Sequence, residues 1–409
     1  MSLPVISAVN AAMKYLYPNG EPKKAIQSTR EFQSRVKKDT SFGGEWAYVP
    51  IQHGDAQGIG TSVPLAQAAV TETQFKRFTL TRVRHYAVAR IDGELMEAAA
   101  TRGEGSLVSM WKATMDSTLN KELNWQATMY YGTGSGALGL TSSGTGTTTV
   151  TMAASTNMNY FDRLAILGAI SADSVSATVR SGSAQVTGID RQNKTLTFAA
   201  APSTTIAGLV DGDYFTYYGD GPSGGAARVP TGLAAYIASS PGTLFQLDRS
   251  VDPTHLAGQV FDGTGYSRED AIAEASATAG VQGTGYPTDC FLHNLDFSAL
   301  KRSMTSKLTL DRVKSAEGKG SFNSVVIEGE NGPINLIVDP FAPIGTPHLL
   351  KTEHFSIYSL NGAPHIKKDD GQSYARLTSD DAIEARWAYY GNLRLDNPAP
   401  QIRITGFGS

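Results

Sequence analysis

The chain has 409 residues, 35 Lys and Arg against 38 Asp and Glu, and a formal net charge of −3, which excludes a protein-wide basic field for nucleic acid. One cysteine, Cys290, cannot close an intrachain disulfide, and no run approaches the ~18 apolar residues that cross a bilayer, so neither disulfide stapling nor a membrane is expected. Charged residues make up 18%, below the roughly 25% usual for soluble domains, and a surface so poor in charge points to cover by assembly.

Residues 1–42 read as an arm. Pro4, Pro18, Asn19, Gly20 and Pro22 break regular structure, a mixed-charge run covers Glu31 to Asp39, and there is too little apolar patterning for a core. Met1-Ser2-Leu3-Pro4 carries no basic n-region before an apolar stretch, so no secretory signal is expected and synthesis in the cytosol fits.

Residues 43–91 predict a long hairpin. Trp46 to Ile51 is a short strand pattern, and a polar, turn-rich tip with Gly54, Gly58, Gly60 and Pro64 follows. From Thr73 to Ile91 the chain is strand-like again, with Phe78, Leu80, Val83, Tyr86 and Val88. A two-stranded ribbon is marginal in water, so it must lie against the rest of the chain or another subunit. Lys76, Arg77, Arg82, Arg84, His85 and Arg90 load its second strand with positive groups. That is a solvated face that discourages edge pairing, a contact with an acidic surface of the next subunit, or a DNA contact. The subunit contact is preferred, because the aromatics do not interleave as a stacking platform requires.

Residues 92–131 predict one long helix. Asp92 suits an N-cap, with Glu94 and Glu97 in the first turn, and Leu107, Trp111, Met115, Leu119 and Leu123 form an apolar stripe every four residues. Gly132 is the stop, Gly103 and Gly105 predict a bend, and the helix would be roughly 55–60 Å long, a strut. Together with Trp46 and the hairpin cations Lys76, Arg77, Arg82, Arg84 and Arg90, the stripe residues Trp111 and Met115 are the expected inter-subunit contacts.

Residues 132–240 are rich in Gly, Thr, Ser and Ala and poor in charge. Thr147–Met152, Ser176–Val179, Gln185–Ile189, Thr195–Phe198 and Tyr214–Tyr218 are β-prone, and Phe161–Ile170 reads as the one helix. This is an inserted, mainly antiparallel β unit. The remainder alternates: Ser267–Ala279 and Asn294–Ser306 as helices capped by Ser267 and Asn294, then Val325–Glu328, Ile334–Asp339, Phe355–Leu360, Gln372–Leu377, Ala388–Leu395 and Gln401–Thr405 as strands.

No chemical signature stands out. Gly132-Thr133-Gly134-Ser135-Gly136 follows a helix, whereas a dinucleotide loop follows a strand, and it reads as a flexible linker. Gly318-Lys319-Gly320-Ser321 lacks the spacing of a Walker loop. The seven histidines form no zinc-binding spacing, Cys290 sits in an apolar run, and Asp369-Asp370 and Asp380-Asp381 lie in turns. No catalytic, cofactor or metal residues are therefore assigned, and no enzymatic activity is expected.

The order of these parts resembles the tailed-bacteriophage major capsid proteins with the Hong Kong 97-like fold. The stretches that carry the resemblance are Gly43 to Ile51, Ile334 to Pro340, Trp387 to Leu393 and Asn397 to Ile402. It implies an α+β fold: N-arm 1–42, E-loop hairpin 43–91, spine helix 92–131 in the P-domain, the insertion 132–240, A-domain 241–350, P-domain strands 351–390, and C-terminal strands 391–409 returning to the A-domain. It further implies a virion shell of hexamers and pentamers around packaged double-stranded DNA bound without sequence specificity. A separate scaffolding protein and a portal, with room for a decoration protein, come with that reading, and no cross-link or cofactor is expected. The alternative is another virion or surface-array protein, a tail component or adhesin.

Overall fold

The computed structural model describes residues 29–93, 105–281, 285–303, 325–329, 332–368, 375–376 and 381–408. Two six-stranded sheets, a closed barrel and one long helix organise them.

The helix Gly105–Met129, 25 residues, is the described part of the long helix expected over 92–131. Residues 94–104, with the bend expected near Gly103, lie outside the described residues, as do the side chains of Leu107 and Trp111. Asp92 ends the strand Val83–Asp92, and its side chain lies outside the described residues, so the cap expected there is not described. Of the predicted stripe, Met115, Leu119 and Leu123 are only half-buried. The face that enters the core is Glu122, Trp125, Gln126 and Met129, a mixed polar and apolar set that an apolar-periodicity reading passes over. At its C-terminal end the Tyr130 carbonyl, which has no partner within a helix, accepts from Leu233 N at 2.8 Å.

The long strand Ala382–Leu395 is the axis of the first sheet. It pairs antiparallel with Val83–Asp92 along ten residues, with Phe355–Ser359, and with the short strands His365–Ile366 and Ala375–Arg376. It crosses the expected boundary at 390/391 without interruption. Lys37–Asp39 adds to its edge in parallel with Phe355–Ser359. The described part of the arm is held by its own chain: Phe32 is buried among Tyr130, Tyr131, Phe291 and Phe355, and its N–H donates to Asp339 Oδ2 at 2.9 Å.

The second sheet runs in the order Gln259–Asp262, Ile402–Thr405, His348–Leu350, Asp289–Leu292, Gly332–Val338, Val325–Gly329. The helix Arg268–Val281 covers it with Ala271, Ile272, Ala275 and Ala279, and Ser267 caps that helix through Asp270 N at 3.2 Å. The helix Asn294–Ser303 begins as expected, but its cap is His293, whose Nδ1 accepts from Leu295 N at 3.2 Å. Cys290 is fully buried in this sheet and burial pushes its thiol up, the behaviour of a core residue.

The insertion closes into a barrel of Thr195–Phe198, Thr149–Met152, Ala137–Ser143, Tyr214–Tyr217, Ile166–Ile170 and Ala184–Asp190, all antiparallel. Val150, Leu167, Val186, Leu196 and Phe215 fill it. The helix expected over 161–170 is instead the strand Ile166–Ile170, because closure demands a sixth strand where local propensity is indifferent. Gly132 to Gly136 is not a flexible linker: Ser135 is fully buried, and the Thr133 and Ser135 hydroxyls each donate to Asp173 Oδ1 at 2.5 Å.

Candidate inter-subunit surface

The hairpin consists of Trp46–Gly54 and Gln74–Thr81, paired from Trp46↔Thr81 to Gly54↔Gln74. Alternation turns Val49 and Ile51 inward, Val49 opposite Phe78, and Phe78 packs edge-on against Tyr236 at 6.0 Å. Thr79 N donates to the Phe245 carbonyl at 2.9 Å, and His53 lies 3.3 Å from Asp252, so the base of the ribbon is docked on residues 236–252. The outward face shows Trp46 and Tyr48, with Arg77 stacked over the Tyr48 ring at 4.2 Å.

The tip is not merely polar and turn-rich. It contains a short helix, Val63–Ala68, in which no residue is buried, and Ile59, Val63 and Val70 are 86%, 70% and 66% exposed. Leu65 and Phe75 extend this patch. Thr71 ties the base of the tip by accepting from Gln57 N at 2.9 Å and donating its own N–H to the Gln57 carbonyl at 3.1 Å. The apolar members were visible in the sequence but diluted among Gly, Ala and Gln, where no strand or helix period picks them out.

The basic run divides between two surfaces, which corrects its assignment to one hairpin strand. The ribbon ends at Thr81, and Val83 begins the strand of the first sheet. Lys76 and Arg77 belong to the hairpin. Arg82 sits at the joint, donating to the Phe42 carbonyl at 3.4 Å. Arg84 and Arg90 share the open face of the sheet with Tyr86 and Val88, and Arg90 Nη2 lies 3.4 Å from the buried carboxylate of Glu384. Met115 is half-buried on the helix, while the Trp111 side chain falls outside the described residues.

Sequence reasoning missed the joint behind the surface. His85, on the inner face of the same strand, stacks on Trp125 at 3.6 Å, and its Nδ1 lies 2.7 Å from Glu122 Oε2. Trp125 Nε1 donates to Asp220 Oδ2 at 2.6 Å. Burial opposes a charge on His85, but the hydrogen bond and charge of Glu122, with Asp220 behind, outweigh it and raise the imidazole pKa. Next to it Lys121 is held by Asp162 and by Tyr217 Oη at 2.5 Å. Asn392 completes the joint, donating to the Thr81 carbonyl and accepting from Thr231 N, both at 2.9 Å. Hairpin, sheet, helix and barrel thus meet at one satisfied polar hub.

The architecture is the Hong Kong 97-like fold: a hairpin leaving a sheet braced by a long helix, and a second sheet built from the middle and the last strand of the chain. The capsid chain of cyanophage A-1(L) superposes with a TM-score of 0.53 at 11% identity, covering 98% of this chain and 99% of its own. The capsid of a native GTA particle gives 0.48 at 7% identity with 99% of each chain covered. The SrpI encapsulin of Synechococcus elongatus PCC 7942 gives 0.47 at 8% identity, covering 97% and 94%. No protein-family model matches the sequence, and no curated protein does.

Proposed function

We propose that the chain is the major shell subunit of a tailed-phage head, working by assembly and not by catalysis. The observation that carries this is the end-to-end likeness of fold to a cyanophage capsid chain, covering 98% of this chain and 99% of that one. The exposed apolar tip supports it, since a helix that buries nothing in its own chain gains from a neighbouring subunit. In this reading copies form hexamers and pentamers, a separate scaffolding protein guides closure, a portal occupies one vertex, and a decoration protein has open surface to use. Double-stranded DNA is held inside without sequence readout, and the finished protein resides in the virion.

Negative-stain electron microscopy of the purified full chain, alone and co-expressed with the scaffolding protein, tests the reading. Closed particles tens of nanometres across are expected. Small soluble oligomers in both preparations, or open fibres, would move the assignment to the surface-array or tail alternative.

A further inference from the structure

Between the barrel and the second sheet lies a cavity of about 220 Å³, bounded also by the end of the long helix. Its walls are tied to one another. Asn157 Nδ2 donates to the Pro340 and Ala342 carbonyls at 2.7 and 2.9 Å, and Tyr160 Oη donates to the Phe341 carbonyl at 2.7 Å. The floor is a cross-strand pair, His348 opposite Arg403, on one face of the sheet. His348 is 1% exposed and neither ring nitrogen makes a hydrogen bond of full geometry, the Thr346 backbone being the polar group beside it; Arg403 Nε is buried and unpartnered, with Asp173 the charge that faces the guanidinium. Tyr131 packs edge-on against the imidazole at 5.6 Å. At the mouth stands Asp173, exposed, with Oδ1 taking the Thr133 and Ser135 hydroxyls.

Buried polar groups of this kind are satisfied in nearly all proteins, so an occupant is called for. The space exceeds the ~30 Å³ share of one water several-fold. The guanidinium demands an acceptor, ideally an anion. The carboxylate at the mouth demands the reverse: it repels a fully ionised anion but accepts from one that keeps a proton. We propose that this cavity binds a hydrogen phosphate group, its oxygens on Arg403 and His348 and its P–OH donating to Asp173. The free ion keeps a P–OH at neutral pH, a phosphate monoester has one only in its monoanionic form, the minor one above a second pKa of about 6, and a nucleic-acid diester has none to give. Sulfate, of the same size and without a proton near neutral pH, is rejected by Asp173. The site is independent of whether the chain builds a shell.

Equilibrium dialysis of the purified full chain against labelled inorganic phosphate, in chloride buffer at neutral pH, tests this in any assembly state. Saturable uptake of one phosphate per chain is expected, with sulfate competing at least tenfold more weakly. Asp173→Asn should bring sulfate to parity, and Arg403→Met should abolish uptake with the circular dichroism unchanged. Competition by adenosine monophosphate would extend the ligand to monoesters; its failure would restrict it to the free ion. Equal uptake of sulfate and phosphate by the wild-type chain, or none of either, would overturn the proposal even if Arg403→Met does not fold, and the cavity would then hold water alone.

Discussion

His85 and His348 are tuned in opposite directions, and each leaves its own mark on stability against pH. The raised pKa of His85 means that the folded state holds its proton more tightly than the unfolded one. Its contribution is therefore full below the ordinary histidine value of 6.5 and is lost as pH rises through the folded value. His348 is pushed down to about 3, chiefly by burial and then by the charge of Arg403. Its contribution is present above 6.5 and is lost as pH falls toward 3. Thermal melts from pH 4 to 9 should show His85→Gln losing most, relative to wild type, at the acid end. His348→Gln should flatten the acid limb instead. Parallel curves for wild type and both variants would contradict the assignment. Trp125 carries the hub sterically: Trp125→Ala should cost about 3–5 kcal/mol in urea unfolding, the range for a buried aromatic removed from a core.

Among the elements, the long helix depends on a close approach at its end. A Cβ on Gly232 would stand 2.4 Å from the Tyr130 carbonyl oxygen and 2.5 Å from that of Met129, so nothing but glycine lets Leu233 N reach the helix end. Gly232→Ala should cost about 1–3 kcal/mol by forcing the backbone apart, read as a lower urea midpoint at unchanged m-value. The helix itself, the hairpin base and the paired strands Val325–Gly329 and Gly332–Val338 were legible, because their periods and turn residues agree with their final surroundings. The strand Ile166–Ile170 was not, since its partners, Tyr214–Tyr217 and Ala184–Asp190, lie far along the chain. Nor was the break at Arg82: Thr73 to Ile91 is uniformly β-prone, and only the change of pairing partner, from Trp46–Gly54 to Ala382–Leu395, divides it. The polar hub escaped for the same reason. Its members, His85, Glu122, Trp125 and Asp220, come from a strand, the long helix and a turn and share no spacing.

For the whole molecule, the order of arm, hairpin, strut, insertion and two sheets was the readable quantity, because order is set by the fold, and the fold is shared with a solved chain at only 11% identity. The tip offers the test at this scale. Replacing residues 57–71 with a short Gly-Ser turn removes the exposed helix and none of the buried core. Circular dichroism and the unfolding midpoint should stay at wild-type values, while particle yield by sedimentation should collapse. Undiminished particles would exclude the tip as an assembly contact.

The two β units also differ in when they can form during synthesis. The barrel is complete once Tyr217 has been made, for all six of its strands lie between Ala137 and Tyr217. The second sheet must wait for Ile402–Thr405, which sits inside it between Gln259–Asp262 and His348–Leu350. Contacts so distant in sequence form slowly, and contiguous ones quickly. A ribosome carrying this chain therefore displays a finished barrel on an open sheet. Pulse proteolysis of stalled nascent chains should find the barrel protected long before the sheet.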